Sequence, residues 1–286
     1  MGARLNRRPD MNRQSAVAGI CSALLIFSVG SVSPARAGTI KIGGTGAAMA
    51  AMSLLAQEFR KASPDADIAV LPAIGSGGAI KGVQGGVIDL GVSARSLKDS
   101  ERGKGAEEVE FARTPFVFVV PKGNAVAGFS EGELVDIYAG RRTTWPDGSR
   151  IRLIMRPSDD SDTIMLKTRF SPAMAEAVKA AETRPGMLFA ATDQDAAEML
   201  DQTPGALGAL SLGQLVSERL ALNPLRLDGV EPSVQAAVDG TYRHYKVLYL
   251  LTSPDAKPLA REFAAFVRSV HGRELLARLG FWTTAD

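Results

Sequence analysis

Cysteine occurs once in these 286 residues and histidine twice. The lone Cys21 has no partner for an internal disulfide, and it excludes a multi-cysteine metal site. His244 and His271 lie apart among surface-type neighbours and read as solvated side chains, not as ligands or bases. Aromatic residues make up only 6% of the chain and the formal net charge is +2. Without a basic run interleaved with aromatics, nucleic acid is not an expected partner. The chain also lacks a Gly-x-Gly-x-x-Gly fingerprint, a Walker loop and a Gly-x-Ser-x-Gly elbow, which removes support for dinucleotide, nucleoside-triphosphate and serine-hydrolase readings. Tandem repeats, low-complexity tracts and Pro- or Gly/Ser-rich linkers are missing as well.

What is present is a globular composition, 45% hydrophobic and 22% charged, long enough for one large or two modest domains. The one long apolar run, Ala16 to Val32, follows Arg4, Arg7, Arg8 and Arg13 and precedes Ala35-Arg36-Ala37. That order is a cleavable secretory signal over residues 1–37, with the mature chain starting at Gly38 and Met11 as a possible start codon. Cys21 sits inside this leader, where Ile20 breaks the small-residue requirement of a lipoprotein site. Five of the 33 basic residues and one of the 31 acidic ones also lie there, so the remainder carries 28 against 30. A nearly neutral, periplasmic protein is expected.

From Gly38 onward short apolar strands alternate with helical periodicity. Strands are expected at Ile40–Gly43, Ile68–Leu71, Asp89–Ser93, Phe116–Val120, Arg152–Met155, Met187–Ala191, Ala206–Leu210 and Val247–Leu251. Ala48, Met52, Leu55 and Phe59 recur at helical spacing, Gly77 to Gln84 reads as a short helix, and Ser130 with Glu133 forms a capping box opening a helix to Ala139. Leu259, Phe263, Phe266, Val267 and Val270 mark one late amphipathic helix. The alternation predicts an α/β fold with largely parallel sheets, either two interleaved domains or one doubly wound sheet.

Three strand-to-helix junctions share one chemistry: Gly43 to Ala47, Gly75 to Gly78, and Ser158 to Thr163. Each sets small or hydroxyl residues at a helix N-terminus, where unpaired N–H groups and the positive dipole end favour an anion. Taken singly such a turn is more often an ordinary cap. Three together point to one oxyanion.

Thr45-Gly46-Ala47, then Ile74-Gly75-Ser76-Gly77-Gly78, then Asp89 to Arg95, then Arg156 with Ser161-Asp162-Thr163 stand in an order and spacing that resembles the periplasmic phosphate-binding proteins of ABC importers. Leu134 to Gly140 followed by Trp145, and Gly205 to Gly208, are similar to further segments of that family. The resemblance implies a type II periplasmic-binding fold, two α/β domains with a cleft between them and no catalysis. By analogy the domains are residues 38–115 with 247–286, and residues 116–246. It implies ligand contacts from Thr45, Gly46, Ala47, Ser76, Gly77, Ser93 and Arg95 on one side and from Arg156, Ser161, Asp162 and Thr163 on the other, with Arg156 as charge partner. The implied partners are phosphate or a related oxyanion and an ABC permease in the inner membrane; the protein is expected to be a monomer without cofactor or metal. An exported anion-sensing or assembly module with the same fold is the alternative.

Two departures stand out. Ala94 replaces the aspartate that in one branch accepts the proton of bound phosphate, and Asp162 replaces the glycine of the family's Ser-Gly-Thr. Asp162 is expected either to turn its carboxylate outward and offer its N–H, or to face inward as a substitute acceptor. N-terminal sequencing of the protein from the cell envelope is expected to begin at Gly38; a chain retaining Met1 in the membrane fraction would contradict the leader assignment.

Overall fold

The structure, a computed structural model, describes residues 38–284. The leader, its cleavage site and Cys21 lie outside the described residues. The first elements are β1 (Ile40–Gly44), α1 (Gly46–Ala62), β2 (Ile68–Val70), α2 (Gly75–Gln84), β3 (Leu90–Ser93) and the long β4 (Glu107–Pro121). There follow β5 (Gly128–Phe129), α3 (Glu131–Tyr138), β6 (Arg152–Met155), α4 (Ser161–Thr168), α5 (Pro172–Glu182), β7 (Leu188–Phe189), α6 (Asp193–Gln202), β8 (Ala206–Ser211) and α7 (Leu212–Ser217). The chain closes with β9 (Leu222–Pro224), β10 (Arg226–Leu227), α8 (Val234–Val238), β11 (Tyr245–Thr252), α9 (Pro258–Arg268) and α10 (Val270–Arg278).

Local chemistry explains most of these bounds. The predicted face of α1, Ala48, Met52, Leu55 and Phe59, is buried in full. Ser130 and Glu133 close the reciprocal capping box of α3. The single late helix expected from periodicity is two helices, because Ser269 turns extended and its side chain accepts the Gly272 N–H to cap α10.

The main sheet runs β2-β1-β3-β11-β4-β8-β6-β7, with β9 also on β4. Its two wings are parallel, β1 with β2 and β3 at one end and β6 with β7 and β8 at the other. The centre is not. There β11 is antiparallel to both β3 and β4, and β4 is antiparallel to β8. The expectation of largely parallel pairing therefore holds in the wings and fails where the chain passes from one wing to the other and back. The fold is a mixed α/β architecture.

β4 carries this passage. Its first half pairs with β11 and its second half, Phe116 to Val119, with β8. The first half was not expected as strand because Glu107, Glu108 and Glu110 give it a charged, half-exposed face of poor strand propensity. Pairing with β11 along Glu107 to Pro115 overrides that preference. One group of packed side chains, including Phe59, Phe263 and Phe281, draws on residues 40–112 and 248–281. Another, including Phe116, Phe118 and Tyr138, draws on residues 116–242. No helix among the described residues is long and apolar enough to cross a membrane.

Thr114 sits on β4 at the junction of the two groups and is fully buried. Its hydroxyl donates to the Gly280 carbonyl at 2.9 Å and accepts the Gly213 N–H at 2.8 Å. Thr114→Val keeps the shape and strands both partners without water, so a loss of about 1–3 kcal/mol is expected. Equilibrium urea denaturation measures it; a variant as stable as the parent would show that the two bonds contribute nothing net.

Candidate anion-binding site

Seven of the ten described helices are capped at their N-terminus by a side-chain oxygen. α1 and α2 are not, and neither has an acidic residue in its first turn. α9, the remaining uncapped helix, opens with proline instead. The first turns of α1 and α2 thus keep backbone donors for another acceptor. The loops are pinned side by side: Thr45 N–H donates to Val92 O at 2.9 Å and Ile74 N–H to Gly44 O at 3.0 Å.

Glycine is required at both turns for different reasons. A Cβ on Gly46 would lie 2.6 Å from Asp193 Cβ, so only glycine lets α1 approach α6 this closely. Gly75 has φ +69°, the left-handed region. Beside it, the buried Ser76 Oγ accepts the Ala94 N–H at 2.9 Å, which leaves its own proton to donate. Gly77 follows on the open side of the same turn, with nothing within 4 Å of where a side chain would start.

Opposite α1 lies a buried charge cluster. The Arg156 guanidinium, 6% exposed, donates to Ala190 O at 3.0 Å and to Asp160 Oδ2 at 2.9 Å, and stands 3.8 Å from Asp193 Oδ2. Burial opposes its charge, but Asp193 and Asp160 outweigh that and hold the arginine above its ordinary pKa. Lys246, 3% exposed, is paired with Asp162 Oδ1 and lies 3.7 Å from Asp193 Oδ1. Burial pushes the Asp162 carboxyl up to about 6 despite the lysine beside it.

The expectation that the Asp162 carboxylate turns outward fails, because the side chain is buried and paired with Lys246. The Asp162 N–H, expected to be free for a ligand, instead donates to Asp160 Oδ1 at 2.9 Å as part of the α4 cap. Asp162 Oδ2 and Arg156 Nε are buried and carry no hydrogen bond among the described residues.

The structure brings the Thr45–Ala47 turn to this cluster through Asp193. Ser161, Arg95 and Ala94 meet around an adjoining cavity of about 230 Å³, of which Lys246 also forms a wall. Three expected contacts have their donors engaged elsewhere. Ser93 Oγ donates to Arg95 O at 2.6 Å, and Thr163 Oγ1 to Arg156 O at 2.9 Å. The Arg95 guanidinium forms a fork with Glu101 at 2.7 and 2.8 Å, which holds that carboxyl down at about 2.

Lys246 and Asp193 were not anticipated. The lysine offered a signal, a basic residue at the head of an apolar strand, but the strand was expected to begin one residue later. Asp193 looked like one more acidic residue in a helix first turn. His244 also departs from expectation: its ring stacks on Phe170 at 3.9 Å between centroids, and burial lowers its pKa. His271 is exposed and 3.1 Å from Glu58.

The mixed α/β fold, with the start of α1 packed against the buried charge cluster, matches structures of the type II periplasmic-binding class. The chain matches a Clostridium perfringens structure solved with bound phosphate, at TM-score 0.74 and 21% identity over 87% of this chain and all of that one. It also matches an ABC-type phosphate transport receptor from Vibrio cholerae, at TM-score 0.60 and 20% identity over 86% of this chain and all of that one. Among curated proteins, a phosphate-binding protein PstS of Bacillus subtilis is 26% identical over 238 residues, 81% of this chain and 76% of that one. The PBP superfamily domain matches residues 30–270, and this chain belongs to that superfamily.

The buried pair makes a pH-dependent prediction. A carboxyl whose pKa is raised in the fold binds its proton more tightly there than in the unfolded chain, so it removes stability as pH rises from about 4 to about 6. Lys246→Met takes away the compensating charge. Its deficit against the parent is expected to be about 3–5 kcal/mol near pH 7.5 and to shrink to under about half of that near pH 4.5, where Asp162 is protonated. Urea denaturation at the two pH values checks this; a deficit independent of pH would mean that Asp162 does not feel the lysine.

Proposed function

We propose that this chain is an exported solute-binding protein that holds phosphate, or an oxyanion of the same shape, and delivers it to an ABC permease in the inner membrane. The observation that carries the reading is the pair of uncapped helix N-termini, α1 and α2, with the α1 start packed on Asp193, the neighbour of the buried Arg156. The name of the Bacillus subtilis relative and the phosphate in the Clostridium perfringens structure support the choice of ligand.

In this reading residues 38–115 with 247–286 form one lobe and residues 116–246 the other, and they close on the anion across β4 and β11. Backbone N–H groups of Gly46, Ala47 and Gly77 and the Ser76 hydroxyl donate from the first lobe; Arg156 and Ser161 donate from the second. Asp162 Oδ2 is the acceptor for P–OH, in place of the aspartate that Ala94 replaces. Sulfate has no such proton and is repelled by the same carboxylate. Neither histidine belongs to this constellation, so the serine hydroxyls have no imidazole base and the role is binding without chemistry.

Calorimetric titration with phosphate and with sulfate is the direct test. Arg156→Ala is expected to weaken phosphate binding by about 2–5 kcal/mol. A folded variant with unchanged affinity would reduce Arg156 to an internal ion pair, and tighter binding of sulfate than phosphate by the parent would remove the selectivity argument.

A further inference from the structure

The buried cluster holds one carboxylate more than its cations need. Arg156 Nη2 donates to Asp160 Oδ2 at 2.9 Å, and Lys246 is paired with Asp162 Oδ1, so each cation already has an acid of its own. Asp193 is the third acid. It is 3% exposed and stands 3.8 Å from Arg156 and 3.7 Å from Lys246, both beyond hydrogen-bond length. Charge holds it there, without the direct contacts that fix the other two. A surplus buried carboxylate is unfavourable in a water-poor interior, so packing alone does not account for it.

Its position does. Asp193 Oδ2 lies 2.8 Å from where a Cβ on Gly46 would stand, which sets the carboxylate against the first residue of the uncapped α1. The same oxygen is the one beside the Arg156 guanidinium. Gln194, the next residue of α6, packs on Gly46 too. Its Nε2 donates to Gly46 O at 3.2 Å and to Glu218 Oε1 at 2.7 Å, while its buried Oε1 lies against Gly46 and accepts no hydrogen bond among the described residues. Two acceptor groups of α6 thus press on the helix start where unpaired backbone donors and the dipole favour an anion.

Resting on the oxyanion-binding reading above, we propose that Asp193 is a built-in competitor for the ligand: its carboxylate holds the place between the α1 start and Arg156, and the oxyanion binds by displacing it. Affinity is then set by the competition of two anions for one cradle, the internal one being tethered at a high effective concentration. Without Asp193 the cluster is two cations and two carboxylates, paired one to one as Arg156 with Asp160 and Lys246 with Asp162. The fold does not need the third acid.

The test is calorimetric titration with inorganic phosphate of the parent, of Asp193→Asn, which keeps the shape without the charge, and of Asp193→Ala, which empties the place. Both variants are expected to unfold cooperatively in urea as the parent does and to bind phosphate at least about tenfold more tightly. A gain of this kind cannot come from a damaged fold. Phosphate binding by the variants beside none by the parent would be the same result at its limit. A smaller gain or a loss in either folded variant would overturn the inference, and binding by the parent would leave the phosphate reading standing. Failure of both variants to fold would overturn it as well, because the carboxylate would then be a structural requirement. If neither the parent nor a folded variant binds phosphate, the oxyanion reading itself fails along with it.

Discussion

The antiparallel pairing of β4 with β11 is the constraint on which the other features depend, because these two strands cross together from one packed core to the other. Where the crossing occurs, Lys246 lies opposite Thr114 in the register. Thr114 joins β4 to the start of α7 and to Gly280 just past α10, while Lys246 joins the same level of the sheet to α4 and α6 through Asp162 and Asp193. On its other edge β11 sets Tyr249 opposite Ser93 of β3. The turn carrying Ala94 and Arg95 therefore emerges beside the cavity. One ladder aligns the crossing, the charge cluster and the cavity wall.

The charge cluster is costly to bury and is tolerated because each cation has more than one acceptor. Two cations, Arg156 and Lys246, face three carboxylates, Asp160, Asp162 and Asp193, and nearly all lie within a few ångströms of one another in a water-poor interior. Such a group seldom adds net stability over an apolar core, but removal of one member leaves a stranded charge. The excess of carboxylates changes what the site can hold. In the reading proposed above, a bare dianion meets Asp162 and Asp193 as well as Arg156, whereas a ligand bearing a proton supplies a donor to the buried Asp162 oxygen. Selectivity in that reading rests on the Asp162 carboxyl, which burial holds above its ordinary pKa.

Much of the fold was legible in the sequence because its signals are local. Alternating apolar strands, the helical spacing of Ala48, Met52, Leu55 and Phe59, and the Ser130/Glu133 box each depend on residues within a few positions. The turns at Thr45–Ala47 and Ser76–Gly77 were legible for the same reason. The first half of β4 was not, since glutamates disguise a strand that exists only because neighbours pair with it. Nor was the break at Ser269, where the apolar period runs on through a residue that caps the next helix.

The residues themselves determined the elements, the glycine-opened helix starts and the presence of Arg156 and Asp162 on a strand-to-helix turn. Tertiary structure alone decided which way Asp162 faces and that Lys246 answers it from a strand far along the chain. The physical reason is range. Backbone capping and side-chain periodicity act over a turn or two of chain, whereas the balance of a buried charge is settled by whichever opposite charges the packing brings within a few ångströms, and sequence distance carries no information about that.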